Sequence, residues 1–227
     1  MWLYLSEPAR LTDVDCADWQ RFLPPERREK AARYSHAIDR KLCVLSYVLL
    51  RYGLWRAYAI PPTAGVPFGY SAHGKPFLRD YPAIHFNLSH CREGVACALS
   101  GSSVGVDIAP TGRDYEKAAK YACHDNELEK LKAAYNPHEL FAAFWALKES
   151  YVKMKGTGVW DSLRTLDFSD APDGDFHRYG CCFSIVRRET FVTARCHESE
   201  PERAAAVTLD ALQSFSWTAD RGDSRSL

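Results

Sequence analysis

Ile38, Leu42, Leu45, Leu49 and Tyr52 step along the chain by four, three, four and three residues. That spacing puts them on one face of a helix and predicts a long helix over residues 38–58. Pro61-Pro62 closes it. Ahead of it, alternation over Trp2–Ser6 predicts an opening strand. Pro24-Pro25 then introduces a short charged helix, E-R-R-E-K-A-A-R-Y, with proline in its first turn. Residues 63–82 are rich in Gly and Pro and predict loop with short strands. Residues 84–89 predict a strand. So do residues 94–99, with Val95, Cys97 and Leu99 on one face, and residues 104–108. Gly101-Ser102-Ser103 joins the last two as a turn, so the pair reads as a hairpin.

The second half of the chain repeats the theme. Asp125 is placed to cap a short helix to about residue 134. Asn136-Pro137-His138-Glu139 is a strong helix start, with Asn at the N-cap, Pro at the first position and Glu at the third. That helix is expected to run to Lys155 and to stop at Gly156 and Gly158. Strands are expected at 164–169, 181–186, 190–196 and 204–209. Residues 213–227 are polar apart from Phe215 and Trp217 and read as a loose tail. Each half is therefore helices followed by strands, which predicts an α+β fold and suggests an internal duplication. One mixed domain without duplication is the other reading of the same pattern.

Composition narrows the function classes. Of 227 residues, 46% are hydrophobic and 26% charged, as in an ordinary globular protein. Lys+Arg and Asp+Glu both number 29, so there is no global basic field to hold nucleic acid. Any anion site must come from local clustering. The apolar stretch at residues 44–50 is too short to span a bilayer. The N-terminus lacks the basic and apolar regions of a secretory signal. Eight cysteines occur without a C-x-x-C or a zinc-like spacing. They read as reduced thiols in a cytoplasmic protein.

Four segments carry possible chemistry. Trp145, Glu149 and Lys153 fall at i, i+4 and i+8 on one side of a helix, with Lys148 beside them; alone, this is an ordinary solvated Glu–Lys pair. Asp107 interrupts an apolar strand, G-V-D-I-A. Facing inward it would need a partner or a metal; facing water it would need neither. In His85-Phe86-Asn87-Leu88-Ser89-His90 polar Asn, Ser and His are set among apolar residues, which points several hydrogen-bonding groups away from the core, or makes an ordinary solvent-facing sheet surface. Arg27, Arg28, Lys30, Arg33, Arg40 and Lys41, against Glu26, Glu29 and Asp39, suit a phosphate, or a solvated helix face.

Taken together and in order, these segments resemble the Sfp-type 4′-phosphopantetheinyl transferases. The marks are Gly105-Val106-Asp107-Ile108-Ala109, then W-x-x-K-E-x-x-x-K at Trp145 to Lys153, with Asn87-Leu88-Ser89-His90-Cys91, Gly74-Lys75-Pro76 and a basic segment from Pro25 to Lys30 ahead of them. The resemblance covers about residues 20–170. It implies a pseudo-dimer of two similar α+β halves, with coenzyme A in the cleft between them. The expected divisions are 1–103 for nucleotide contacts, 104–212 for the metal and catalytic residues, and 213–227 as a flexible tail. It further implies transfer of the phosphopantetheine arm of coenzyme A to a serine of an apo acyl or peptidyl carrier protein, with adenosine 3′,5′-bisphosphate released. Mg²⁺ would sit on Asp107 and Glu149. Glu149 would act as base, and Lys153 would neutralise phosphate. Arg27, Lys30, Arg33 and Lys75 would meet the 3′-phosphate and pyrophosphate of coenzyme A, Ser89 and His90 its nucleotide end by hydrogen bonds, and Lys148 would also bind it. The protein would work as a monomer, with neither membrane nor nucleic acid as partner. Arg113, Lys117 and Lys120 are expected to dock an acidic carrier.

Three departures stand out. Ala109 occupies the place of a third metal-binding Glu. Cys91 follows Ser89-His90 where Ser is common. Leu42 falls where the long first helix often has Arg, leaving Arg40 or Lys41 as substitutes. Ala109 keeps a second reading open: a relative that binds coenzyme A or a carrier without catalysis.

Overall fold

The computed structural model describes residues 1–62, 64–157, 160–198 and 203–215. The first half opens with strand β1 (Trp2–Ser6), followed by helices α1 (Asp13–Gln20), α2 (Pro25–Ala32) and α3 (Ala37–Tyr58). A small hairpin, β2 (Phe68–Tyr70) and β3 (Pro76–Leu78), precedes β4 (His85–Cys91) and β5 (Gly94–Ser100). The second half runs β6 (Val104–Pro110), α4 (Glu116–Ala122), α5 (Asp125–Ala133), α6 (Pro137–Lys155), β7 (Asp175–Arg178), β8 (Cys181–Arg187) and β9 (Phe191–His197). The chain then returns to the first half through β10 (Ala204–Ala206) and α7 (Leu209–Gln213).

The duplication is visible in the pairing. In the first half β1 lies antiparallel to β5, and β5 forms a hairpin with β4. In the second, β6 lies antiparallel to β9, and β9 forms a hairpin with β8. Each half is thus one leading strand, three helices and a closing hairpin, and the third helix packs on the sheet. β10 adds to β1 in parallel, so the first sheet has the order β10-β1-β5-β4 and the second β6-β9-β8-β7.

Strand alternation explains how the halves join. Leu3 and Leu5 of β1 face the core built on α3, while Trp2 and Tyr4 face the other way. There they meet Ala96 and Ala98 of β5 and Val104, Val106 and Ile108 of β6, a third core between the halves. β6 is therefore buried on both faces, with Asp107 and Ala109 turned toward the α6 side. Gly105 lets that side close. A Cβ there would lie 1.9 Å from Ser150 O and 2.4 Å from the Met154 N.

Several expectations need correction. β5 and β6 do not form a hairpin: both edges of β5 are taken, by β1 and β4, and the chain at Gly101–Ser103 crosses between sheets. The true hairpin is β4–β5, turned on Arg92-Glu93, a dipeptide without the usual turn residues. The segment 164–169 is not a strand. A 3-10 turn spans Trp160–Thr165, and the carbonyls of Leu163 and Leu166 point inward to a buried lysine rather than to a neighbouring strand. His124, not Asp125, caps α5: its Nδ1 accepts from the Asn126 N–H, and Glu127 accepts from the His124 N–H. The start of the expected tail is docked. Gln213 ends α7 and bonds Asp15, and Phe215 packs edge-on against Tyr52 and Trp55. Residues 216–227, and Gly158, lie outside the described residues.

Candidate active site between the two halves

Asp107 sits mid-strand in β6 and is 4% exposed. Its Oδ1 accepts from Lys153 Nζ at 2.5 Å and from Ser89 Oγ at 2.7 Å. Lys153 Nζ also donates to Ser89 Oγ at 3.1 Å. This triangle joins β4 of the first half to β6 and α6 of the second. Asn87, one pleat away on β4, strengthens the seam: its side-chain oxygen accepts the Val106 N–H at 2.9 Å. Asn87 and Ser89 thus face the other half rather than water, while His85 and His90 are exposed.

Oδ2 of Asp107 is buried and has no hydrogen-bond partner among the described residues. A buried carboxylate oxygen left this way is costly. Glu149, on the same stretch of α6 as Lys153, is half-buried. Burial raises its carboxyl above the ordinary value, the nearby Asp107 pushes the same way, and Lys153 opposes both. Glu149 and Lys153 line two adjoining cavities. One, of about 500 Å³, also takes in Asp107, His90 and Ala109; its far wall includes Phe141 and Trp145, with Arg113 among the lining residues. The other, of about 290 Å³, lies against Gly74, Lys75 and Gly156.

The expected site residues divide clearly. Asp107, Glu149, Lys153, Ser89 and His90 share one cavity. His90 is exposed, yet the protein around its ring desolvates it enough to lower its pKa. Lys153, Lys30 and Arg27 push the same way, against Asp39. Lys30 and Arg27 of α2 are thus near enough to act on the charge of His90. Arg27 is half-buried, with its guanidinium over the Phe68 ring and a weak bond to Cys43 O at 3.4 Å. Lys30 is exposed. Arg33 is exposed as well and pairs with Glu29 at 3.9 Å, one helical turn away. Arg40 is spent on the carbonyls of Tyr34 and Ser35, Lys41 pairs with Asp13, and Leu42 is buried in the first core.

Lys148, expected at the nucleotide, does not reach the cleft. It is 1% exposed and points away from the cleft into the second core. Its ammonium pairs with Glu127 at 2.6 Å and donates to the carbonyls of Ala122, Leu163 and Leu166 at 2.7–2.8 Å. With four oxygen partners it has no donor to spare for a nucleotide. Lys75 lines the smaller cavity, but its Nζ bonds Val104 O at 3.2 Å and Met154 O at 2.9 Å. Sequence reasoning passed over Asn87 as a seam residue and Phe141 as a cavity wall. The first had a signal in its place two residues before Ser89 on a strand; the second reads only as core.

No group of three or more His, Cys, Asp or Glu side chains converges on a metal position among the described residues. Asp107 and Glu149 still suit one kind of ion. Mg²⁺ is held by one or two carboxylates, with phosphate oxygens and water completing its octahedron. The unpartnered Asp107 Oδ2 is the donor left for it, and Ala109 leaves room beside it. Two carboxylates face one lysine there, with Arg113 on the same cavity wall, and a cation between the carboxylates would ease the approach of a pyrophosphate.

A carboxylate pair and a lysine thus meet at the seam of a duplicated α+β fold, with Arg113 lining the same cavity. Residues 103–209 match the family model of the 4′-phosphopantetheinyl transferase superfamily, and residues 12–102 match that of the 4′-phosphopantetheinyl transferase N-terminal region. The 4′-phosphopantetheinyl transferase Sfp of Bacillus subtilis strain 168 is 31% identical over 223 residues, covering 92% of this chain and 97% of its own. The chain belongs to this family. A second Bacillus subtilis 4′-phosphopantetheinyl transferase is 32% identical over 154 residues, 67% of each chain. The L-aminoadipate-semialdehyde dehydrogenase-phosphopantetheinyl transferase of Eremothecium gossypii is 37% identical over 113 residues, 45% of this chain and 41% of its own.

Proposed function

We propose that the protein transfers the 4′-phosphopantetheine arm of coenzyme A to a serine hydroxyl of an apo acyl or peptidyl carrier protein, releasing adenosine 3′,5′-bisphosphate, in the presence of Mg²⁺. The observation that carries this reading is the Asp107–Lys153–Ser89 triangle, with the second Asp107 oxygen unpartnered and Glu149 in the same cavity. We take residues 1–103 as the nucleotide-binding half and 104–212 as the half bearing the carboxylates, with residues 204–213 folded back on the first. The protein acts as a monomer in the cytoplasm. The buried thiols support a reducing compartment: desolvation pushes Cys97 and Cys123 up to about 12, and they serve as small core side chains.

The reaction moves a phosphoryl-linked group between oxygens, so stabilising charge is the main task. Bound at Asp107 and Glu149, Mg²⁺ would supply charge neutralisation on the pyrophosphate. Lys153 is fixed by Asp107 and Ser89 before substrate arrives, and this lowers the cost of orienting it toward phosphate. Glu149, its carboxyl raised by burial and by Asp107, is suited to take the proton of the carrier serine. Arg27, Lys30 and His90 at the rim suit the nucleotide phosphates, with Arg33 one turn further along the chain. The exposed Lys117 and Lys120 of α4 follow Arg113, which lines the larger cavity, and this supports docking of an acidic carrier beside it. Release of adenosine 3′,5′-bisphosphate, followed by chromatography in the presence of apo carrier and coenzyme A, tests the reading. Release should need both substrates and stop on chelation. Release without carrier would point to hydrolysis instead.

A further inference from the structure

The last carbonyls of a helix have no partner within it. At the end of α6 one of them, Met154 O, accepts from two side chains at once: Lys75 Nζ at 2.9 Å and Ser103 Oγ at 2.8 Å. The same ammonium donates to Val104 O, at the first residue of β6. Lys75 comes from the β2–β3 hairpin of the first half. One side chain therefore fastens that hairpin, the start of β6 and the end of α6 together. A cation is well placed there, because the C-terminal end of a helix is its negative end. Gly156, at φ 68°, lets the chain turn away beneath it, and a Cβ at that position would come within 3.1 Å of Lys75 Cδ.

The charged groups of the site lie on these same two segments. Lys153 directly precedes Met154, Glu149 is less than a turn and a half earlier, and Asp107 is three residues beyond Val104. A shift of the helix end relative to β6 would change the Lys153–Asp107 contact directly. We propose that Lys75 is a positioning residue: by fastening the end of α6 and the start of β6 to the first half, it sets where Lys153 and Glu149 stand relative to Asp107. The inference rests on the phosphopantetheinyl transfer reading. It gives Lys75 a different role from the phosphate contact that Gly74-Lys75-Pro76 suggests by itself.

Three variants test it: Lys75→Met, which keeps the stem and loses the ammonium; Lys75→Arg, which keeps a cationic donor; and Ser103→Ala. Ser103 lines neither of the two cavities that hold Glu149 and Lys153 but a neighbouring one beside Lys75 and Met154, so it reports on the helix end without touching the charged groups. Lys75→Met should lower kcat about tenfold with KM for coenzyme A changed less than about twofold. Ser103→Ala should lower kcat about two- to threefold, and Lys75→Arg should restore most of the rate. Amide hydrogen exchange over residues 150–156 should quicken in Lys75→Met and Ser103→Ala. If Lys75→Met fails to fold, Ser103→Ala carries the test. Unchanged exchange in that helix end, or unchanged kcat in Ser103→Ala, overturns the proposal; a rise in KM alone for Lys75→Met makes it a phosphate contact. Should the wild type transfer nothing, the functional reading fails by itself, and exchange still reports whether the two side chains hold the helix end.

Discussion

Replacing Lys148 with Met separates a structural lysine from a cofactor contact. The methionine side chain matches the lysine stem and removes the ammonium. That leaves the Glu127 carboxylate, itself 0% exposed, without a countercharge, held by the His124 and Phe168 N–H groups at 2.8 and 2.9 Å. It also leaves the carbonyls of Ala122, Leu163 and Leu166 without the donor they share. Breaking a buried pair from one side costs about 3–5 kcal/mol, a large part of the ~5–15 kcal/mol that holds a domain folded. Urea unfolding should show the loss as a lower midpoint with a similar slope. The double variant Lys148→Met/Glu127→Leu should recover part of it, because no buried charge then stands alone. A cost below ~1 kcal/mol for Lys148→Met, accompanied by a raised KM for coenzyme A, would refute the reasoning and return Lys148 to the cleft.

Other outcomes follow from the same geometry. Gly105→Ala should cost at least ~3 kcal/mol, because its Cβ would run into backbone atoms of α6; Gly112→Ala, with nothing near its Cβ, should change urea stability by less than ~0.5 kcal/mol. Asp167 feels desolvation upward, but the Ser169 N–H, Asn126 and the Ser169 side chain outweigh it and hold the carboxyl below its ordinary value. A depressed folded pKa stabilises above the unfolded value of ~3.9, and that stabilisation is lost as pH falls through the lower folded value. The stability gap between wild type and Asp167→Asn should therefore narrow on acidification below pH ~4; a constant gap would contradict the assignment. Ala109→Glu, in the wall of the larger cavity, should lower the Mg²⁺ concentration for half-maximal transfer; an unchanged requirement would mean that position 109 does not reach the ion.

Much of this was legible in the residues. The periodicity of α3 and the Asn-Pro start of α6 located the two long helices, while the pattern of β6 left open whether Asp107 faces inward or toward water, and its 4% exposure decides for the interior. The W-x-x-K-E-x-x-x-K spacing put Glu149 and Lys153 on one side of α6. It could not say on which side Lys148 falls, because its partner Glu127 is remote in sequence and one of the carbonyls it holds, that of Leu166, belongs to a segment that reads as a strand. The order of strands was hidden for a related reason. β1 takes the edge of β5 that a hairpin with β6 would need, and local turn chemistry carries no trace of a strand some ninety residues earlier. α1 had a signal that went unread: Thr12 accepts the Asp15 N–H, a capping pattern spelled out as T-D-V-D. β7 had none, since Asp-Phe-His-Arg looks like loop until β8 lies beside it.

The central claim is that the seam between the halves moves phosphopantetheine from coenzyme A to a carrier. Intact-mass measurement of an apo carrier protein after incubation with the enzyme, coenzyme A and Mg²⁺ tests it most directly. A gain of one phosphopantetheine arm on the carrier serine, abolished in Asp107→Ala, is the result this account predicts. A carrier mass that stays unchanged with the wild-type protein, or the full gain persisting in Asp107→Ala, would contradict it.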